Sequence, residues 1–197
     1  ITLSNFFTGT HFLVNRYVNV GNGIARIDGQ EFTTEPRIRF GKASDTLSGF
    51  LALYWFHSQQ HEQIDLFGGG LFFDKTLTRA VFGEATWKPS PLFDLTIGTR
   101  YEQENRDRTG GAGVFLIDYH KDFHAFLPKA TVSFHANADL TLGATVGRGY
   151  NSGGAGFSFN PPFPSFTYDK ETVWNYDGFV RASKHGGVRW RWWSITR

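Results

Sequence analysis

Residues Leu92 to Glu102 read Leu-Phe-Asp-Leu-Thr-Ile-Gly-Thr-Arg-Tyr-Glu, and their alternation decides the fold. In an extended chain Phe93, Leu95, Ile97 and Tyr101 share one side, and Asp94, Thr96, Gly98, Arg100 and Glu102 share the other. Successive side chains of a strand point to opposite faces, so this is a strand with one apolar and one polar face. The pattern recurs. Ala130, Val132, Phe134 and Ala136 oppose Lys129, Thr131, Ser133 and His135. Leu140, Leu142, Ala144 and Val146 oppose Asp139, Thr141, Gly143, Thr145 and Gly147. Trp174, Tyr176, Val180 and Ala182 oppose Asn175, Asp177 and Arg181, and Pro36, Ile38 and Phe40 oppose Arg37 and Arg39. Residues 47–60 are apolar on both sides, which leaves their direction open. Helical spacing is absent over any window of about a dozen residues.

Nine strands are expected, near 2–14, 31–42, 47–60, 75–88, 92–106, 122–136, 139–150, 170–183 and 187–195. Short turns (43–46, 89–91, 137–138, 184–187) alternate from the third strand onward with long loops (63–74, 107–121, 151–169). A further long loop, 21–30, precedes them. In an up-and-down sheet this places the short turns at one end and the long loops at the other, as in outer-membrane barrels. The polar faces hold Arg37, Arg39, Asp94, Arg100, Glu102, Lys129, Asp177 and Arg181. A small dry barrel could not bury so many charges, whereas a wide barrel with a wet or plugged lumen can. The fold expected is all-β: an antiparallel up-and-down transmembrane β-barrel, partial, with the apolar face toward lipid. Tyr54, Trp55, Phe56, Trp87, Phe93, Tyr101, Trp174 and Tyr176 would form its interfacial girdles. Nine strands leave two unpaired edges, so an open curved sheet is expected. A soluble β-sandwich shows the same alternation with the apolar face inward, and as a glycan-binding module it is the alternative.

Composition narrows the function. The chain has 197 residues and a net charge of +2, too small to favour nucleic acid as a partner. Cysteine is absent, which removes disulfides, thiolate catalysis and cysteine-ligated metals. Aromatic residues reach 17%, and methionine is absent, even at Ile1. A processed product or a piece of a longer protein is expected.

Specific residues then look familiar. Leu127-Pro128-Lys129-Ala130-Thr131-Val132-Ser133-Phe134 is followed by a turn and by Asp139-Leu140-Thr141-Leu142-Gly143-Ala144-Thr145-Val146-Gly147-Arg148-Gly149-Tyr150-Asn151-Ser152-Gly153-Gly154. Together they resemble the barrel of TonB-dependent outer-membrane receptors. So do Tyr168-Asp169-Lys170-Glu171-Thr172-Val173-Trp174-Asn175-Tyr176-Asp177 and Phe32-Thr33-Thr34-Glu35-Pro36-Arg37-Ile38. Ala80 to Trp87 and Leu95 to Glu102 resemble the family's next two strands. The resemblance implies an outer-membrane receptor that imports a scarce nutrient, most often an iron–siderophore complex, with energy from the TonB partner. It implies outer-membrane lipid, TonB and a metal-chelate ligand as partners, no cofactor and no catalysis. The family's plug domain is not seen. Residues 1–186 correspond to part of the barrel. Residues 187–197 form a basic, Trp-rich tail unlike the family's last strand, as a truncated or frame-shifted end would.

Other motifs carry less. The glycine clusters 68–70, 110–113 and 153–156 lack the Lys-Ser/Thr of a phosphate loop. His57/His61 and His120/His124 share a face in pairs, but solvated positions explain them and no metal site is expected. Without a Gly-x-Ser-x-Gly elbow, no catalytic residue is expected, and an outer-membrane enzyme is a second alternative. The candidate ligand contacts lie in 157–168, where Phe157, Phe159, Phe163, Phe166 and Tyr168 are stiffened by Pro161, Pro162 and Pro164.

Overall fold

The computed structural model describes residues 1–18, 23–65, 68–158, 164–183, 189–190 and 194–196. Eight long strands dominate: β1 (Thr2–Val18), β2 (Gly23–Phe40), β3 (Leu47–Asp65), β4 (Gly70–Ser90), β5 (Phe93–Ala112), β6 (Phe115–His135), β7 (Leu140–Asn151) and, after a small hairpin, β10 (Glu171–Ser183). The hairpin consists of β8 (Gly154–Phe157) and β9 (Ser165–Tyr168). Two short stretches, β11 (Arg189–Trp190) and β12 (Ser194–Thr196), pair antiparallel with β10. All pairings are antiparallel, and the sheet runs as an open path from β1 to the segments beside β10. This is the expected up-and-down wall.

The two faces differ in exposure, and the difference is the reverse of a soluble sandwich. Ile97 is 59% exposed, and Leu51, Leu53, Phe126 and Val132 are exposed beside it on neighbouring strands. Opposite them, Glu102 is 12% exposed at its side chain and Arg100 27%. Side chains shield one another on the inside of a curve, so the sheet bends toward its charged face. Register resolves the ambiguous 47–60 segment: Leu51 and Leu53 stand beside Gly83 and Val81 on the apolar face.

Charges on the concave face find partners. Arg100 Nε donates to Glu102 Oε2 (2.5 Å), and its guanidinium lies over Tyr54 at 4.7 Å. Arg37 pairs with Glu35 and lies over Phe50 at 4.4 Å. Thr86 pairs with Thr96, and Thr131 with Thr145, each at 2.9 Å across strands. Such cross-strand pairs stabilise sheets by a few tenths of a kcal/mol each. Arg39 is exposed with no ion pair among the described residues, and Arg181 is like it. The latter is exposed on the strand next to the tail, over Phe179 at 5.2 Å.

The apolar belt covers only part of each strand. It runs from Phe93 to Tyr101 on β5 and from Phe126 to Phe134 on β6, close to the ~9–11 residues a tilted strand needs to cross hydrocarbon. Phe32 and Trp55 (5.4 Å, edge to face) rim one border, and Phe93 and Phe134 (5.1 Å) the other.

Beyond Tyr101 the structure corrects the sequence-based expectation. Residues 107–121 are no loop: β5 and β6 stay paired to Ala112↔Phe115 around a turn of Gly113 (φ 59°) and Val114. The expected loops at 21–30 and 63–74 likewise become strand over most of their length. The alternation changes there, because the outer side turns polar while Ala25, Ile64, Phe72, Ile117 and Tyr119 are buried on the concave side, and the backbone ladder continues regardless. At the other end the turns are short, as expected. In Gly41–Thr46, Gly41 takes φ 67°, Asp45 N–H donates to Lys42 O (3.0 Å) and Lys42 N–H donates to Asp45 Oδ2 (2.8 Å).

Candidate functional site

The strand extensions build a walled site on the concave face. Residues 102, 104, 106 and 108 continue the charged alternation of β5 as Glu, Glu, Arg and Arg. Glu62 of β3 is 3% exposed. It accepts from Arg16 of β1 at 2.5 Å and from Arg108 of β5 at 2.9 Å. Arg108 also donates to Asp74 of β4 at 3.0 Å. A buried carboxylate is tolerated only with such pairing. Beside this lattice lies the main apolar cluster: Ala25, Ile64, Phe72, Ala112, Ile117, Tyr119 and Phe123, with Tyr150 and Ala155 packed on it. Arg108 spans the two groups, its guanidinium 5.4 Å from the ring of the fully buried Phe72.

The β8–β9 hairpin lies against this wall. The β6–β7 ladder ends at Lys129↔Gly147, next to Pro128, which has no N–H to donate. The chain from β7 then leads into Ser152 and Gly153. A Cβ on Gly153 would sit 2.2 Å from Tyr168 O and 2.8 Å from the Phe123 ring, so only glycine fits that approach. Arg106 donates to Gly153 O at 3.1 Å, Lys170 Nζ donates to His124 O at 2.6 Å, and Lys121 pairs with Asp169. Each partner of the last pair reinforces the other's charge: Lys121 is raised and Asp169 lowered, chiefly through their hydrogen bond.

Between hairpin and wall is a cavity of about 340 Å³, lined by Glu31, Asp74, Arg106, Arg108, Tyr119, Ala155 and Tyr168 among others. Several of its polar atoms are buried without a hydrogen bond: Tyr119 OH, Arg106 Nε and Arg108 Nε. Arg106 Nε lies 2.8 Å from Glu104 Oε1 but is not aligned with it. Burial raises Asp74 above the usual carboxylate range, with Arg108 opposing the shift. Burial also raises Tyr119, whose phenol therefore remains a hydroxyl donor at neutral pH. The arrangement suits a ligand rich in acceptor oxygens, because buried donors gain most from a new partner.

Of the five aromatic residues read from sequence, Phe166 and Tyr168 lie on β9 and are about half exposed. Tyr168 lines the cavity, and the Phe166 ring covers Gly156. Phe157 contributes backbone pairing to β8, its side chain lying outside the description, and Phe159 and Phe163 are outside the described residues. Sequence reasoning missed Glu62, Asp74, Arg106, Arg108 and Tyr119. The signal that could have found them is the two-residue charge alternation running past Glu102.

At the hairpin tip of β5 and β6, His120 Nδ1 lies 2.6 Å from Asp107 Oδ1 and Nε2 lies 3.0 Å from Asp118 Oδ1. The bond to Asp107, then that to Asp118, raises its pKa above the ordinary 6.5. A raised value in the folded state means this clamp contributes fully below 6.5 and is lost as pH rises through the folded value. Amide exchange in 107–121, corrected for intrinsic rate, is expected to be slower near pH ~6 than near pH ~8. His120→Ala should erase the difference, and equal protection at both pH values in the wild type would refute it.

The comparisons agree with this architecture. The sequence model of the family described as TonB dependent receptor-like, beta-barrel matches residues 2–196. Among solved structures, the ferric yersiniabactin uptake receptor FyuA from Yersinia pestis matches with a TM-score of 0.66 at 16% identity, over 93% of this chain. The chain spans 30% of that receptor's length. With the family matched from one end of the chain to the other, and the strands in its barrel arrangement, the chain belongs to the TonB-dependent receptor-like β-barrel family.

Proposed function

We propose that this chain forms part of the wall of an outer-membrane TonB-dependent receptor that imports a scarce nutrient, an iron–siderophore complex being the leading ligand class. The observation that carries the proposal is the reversed packing: an exposed apolar belt of membrane-spanning height on one face, and paired charges on the other. In this arrangement the belt meets lipid, the charged face borders the lumen, and the extended hairpins stand on the external side. The named ligand of FyuA supports a siderophore as the class to test first. The receptor performs no chemistry on its cargo. It captures the ligand externally and passes it inward when TonB supplies energy, through parts of the protein beyond this piece.

The cavity wall and β9 are the proposed capture surface, with Phe157, Phe159, Phe163, Phe166 and Tyr168 offering rings and Arg106, Arg108 and Tyr119 offering donors. The test is uptake of a panel of radiolabelled iron chelates by cells carrying the full receptor as their sole importer. One chelate is expected to be taken up in a TonB-dependent way. Phe166→Ala with Tyr168→Ala is expected to weaken its binding about tenfold, with the receptor level unchanged, as loss of two exposed aromatic contacts implies. Failure of every chelate, or uptake that persists without TonB, would overturn the proposal.

A further inference from the structure

The apolar face carries a second feature that nutrient import does not use. Just beyond the Phe32–Trp55 rim, that face turns basic on β4. Arg79 stands beside Trp55, and Lys75 beside Gln59, four residues apart along β4 on the same side with Leu77 between them. Both are exposed, and neither has a partner among the described residues. The arginines lining the concave wall behave differently, since Arg37, Arg100, Arg106 and Arg108 each face a carboxylate. Nearby carboxylates of the apolar side are already engaged: Asp107, opposite Lys75, binds His120, and Asp28 binds His11. His57 stacks on Trp55 at 5.9 Å and stands beside Leu77, which lies between Arg79 and Lys75 on β4.

From this placement we infer that Arg79 and Lys75 form a binding site for the anionic phosphate headgroup of a membrane lipid, with its acyl chains against the belt below. The inference rests on the lipid-facing orientation of the belt proposed above. Depth selects the partner. Arg79 is level with Trp55 of the aromatic rim and Lys75 lies four residues further out, a depth at which headgroups lie and not one where a soluble protein would dock. Charge selects the headgroup, since two cations without carboxylate partners attract net-negative lipid. Trp55 supplies an amphipathic ring at the same level, the usual anchor at such an interface.

The test uses the full receptor reconstituted in vesicles of equal parts phosphatidylcholine and phosphatidylglycerol, extracted gently and weighed by native mass spectrometry. The wild type is expected to retain phosphatidylglycerol over phosphatidylcholine. Each juxtamembrane cation contributes about fivefold, so Lys75→Gln with Arg79→Gln should cut retention on the order of tenfold or more. Lys75→Arg with Arg79→Lys should keep it, as should Lys88→Gln at the opposite end of the strand. Unheated gel mobility identifies any variant that has not folded, and the charge-keeping variant then decides the matter. Equal retention by wild type and the double Gln variant overturns the inference. So does equal loss in Lys88→Gln, or displacement by inorganic phosphate beyond that by sodium chloride of the same ionic strength, which would mark a general anion site. Failure of the underlying orientation looks different: the wild-type protein would not enter vesicles at all.

Discussion

Replacing Ile97 by Lys is expected to stop the receptor from assembling in the membrane, while replacing Thr145 by Lys leaves assembly intact. Ile97 is 59% exposed in the middle of the belt, between Ala85 and Ala130 on the neighbouring strands. In a water-soluble protein, Lys at so exposed a position would be neutral or would improve solubility. In lipid, a cation near the midplane of a barrel's outer surface costs about 2–4 kcal/mol. Thr145 lies on the other face, bonded to Thr131 at 2.9 Å, where a wet lumen accepts an ammonium. The pair therefore tells the two orientations of the sheet apart with single substitutions. The measurement is the heat-modifiable gel shift of the folded barrel, together with its amount in the membrane fraction. Normal assembly of Ile97→Lys alongside loss of Thr145→Lys would mean that the apolar belt is a buried core and not a lipid surface.

Within the belt the sequence was legible because the physics there is binary. Ile97, Val132 and Leu142 form the exposed apolar side, while Arg100, Lys129 and Asp177 sit on the other side and are free to be charged. One face of the alternation therefore survives in every strand that crosses. The resemblance of Leu127 to Gly154 to the TonB-dependent receptor barrel also held, since the family match spans that stretch and both of its strands pair as expected.

Outside the belt the constraint vanishes, and so does the signal. Asp107, Asp118, His120 and Asp122 all stand on the side that Ile97 and Val132 occupy lower down, while Ile117, Tyr119 and Phe123 are buried on the other, so the faces exchange polarity and the pattern of the belt no longer reads through. Backbone pairing continues through this region regardless. Glycines mislead in the same way: Gly110 looks like a loop residue, yet it has φ 137° within a paired strand, and a Cβ there would lie 2.2 Å from Leu71 O. The concave lattice was illegible for another reason. Arg16, Glu62, Asp74 and Arg108 come from four different strands, and only register brings them together.

That lattice makes a strong prediction of its own. Glu62 neutralises Arg16 and Arg108 from a position 3% exposed. Glu62→Ala would leave Arg16 without its carboxylate and Arg108 with Asp74 alone, and removing one partner from a buried ion pair typically costs about 3–5 kcal/mol. Glu62→Gln keeps the volume and an acceptor oxygen but not the charge, so its loss should be smaller. Arg108→Met in the Glu62→Ala background should recover nothing, because Asp74, 18% exposed, would then lose the guanidinium it pairs with. Arg16 is the arginine that loses its carboxylate, but at 59% exposed it is already screened by water, so Arg16→Met in the same background should recover only a small part of the loss. Denaturant unfolding of the reconstituted receptor gives these differences directly. A Glu62→Ala protein as stable as the wild type would show that the carboxylate carries no structural charge, and the strand extensions would then be held together by backbone pairing and the apolar cluster alone.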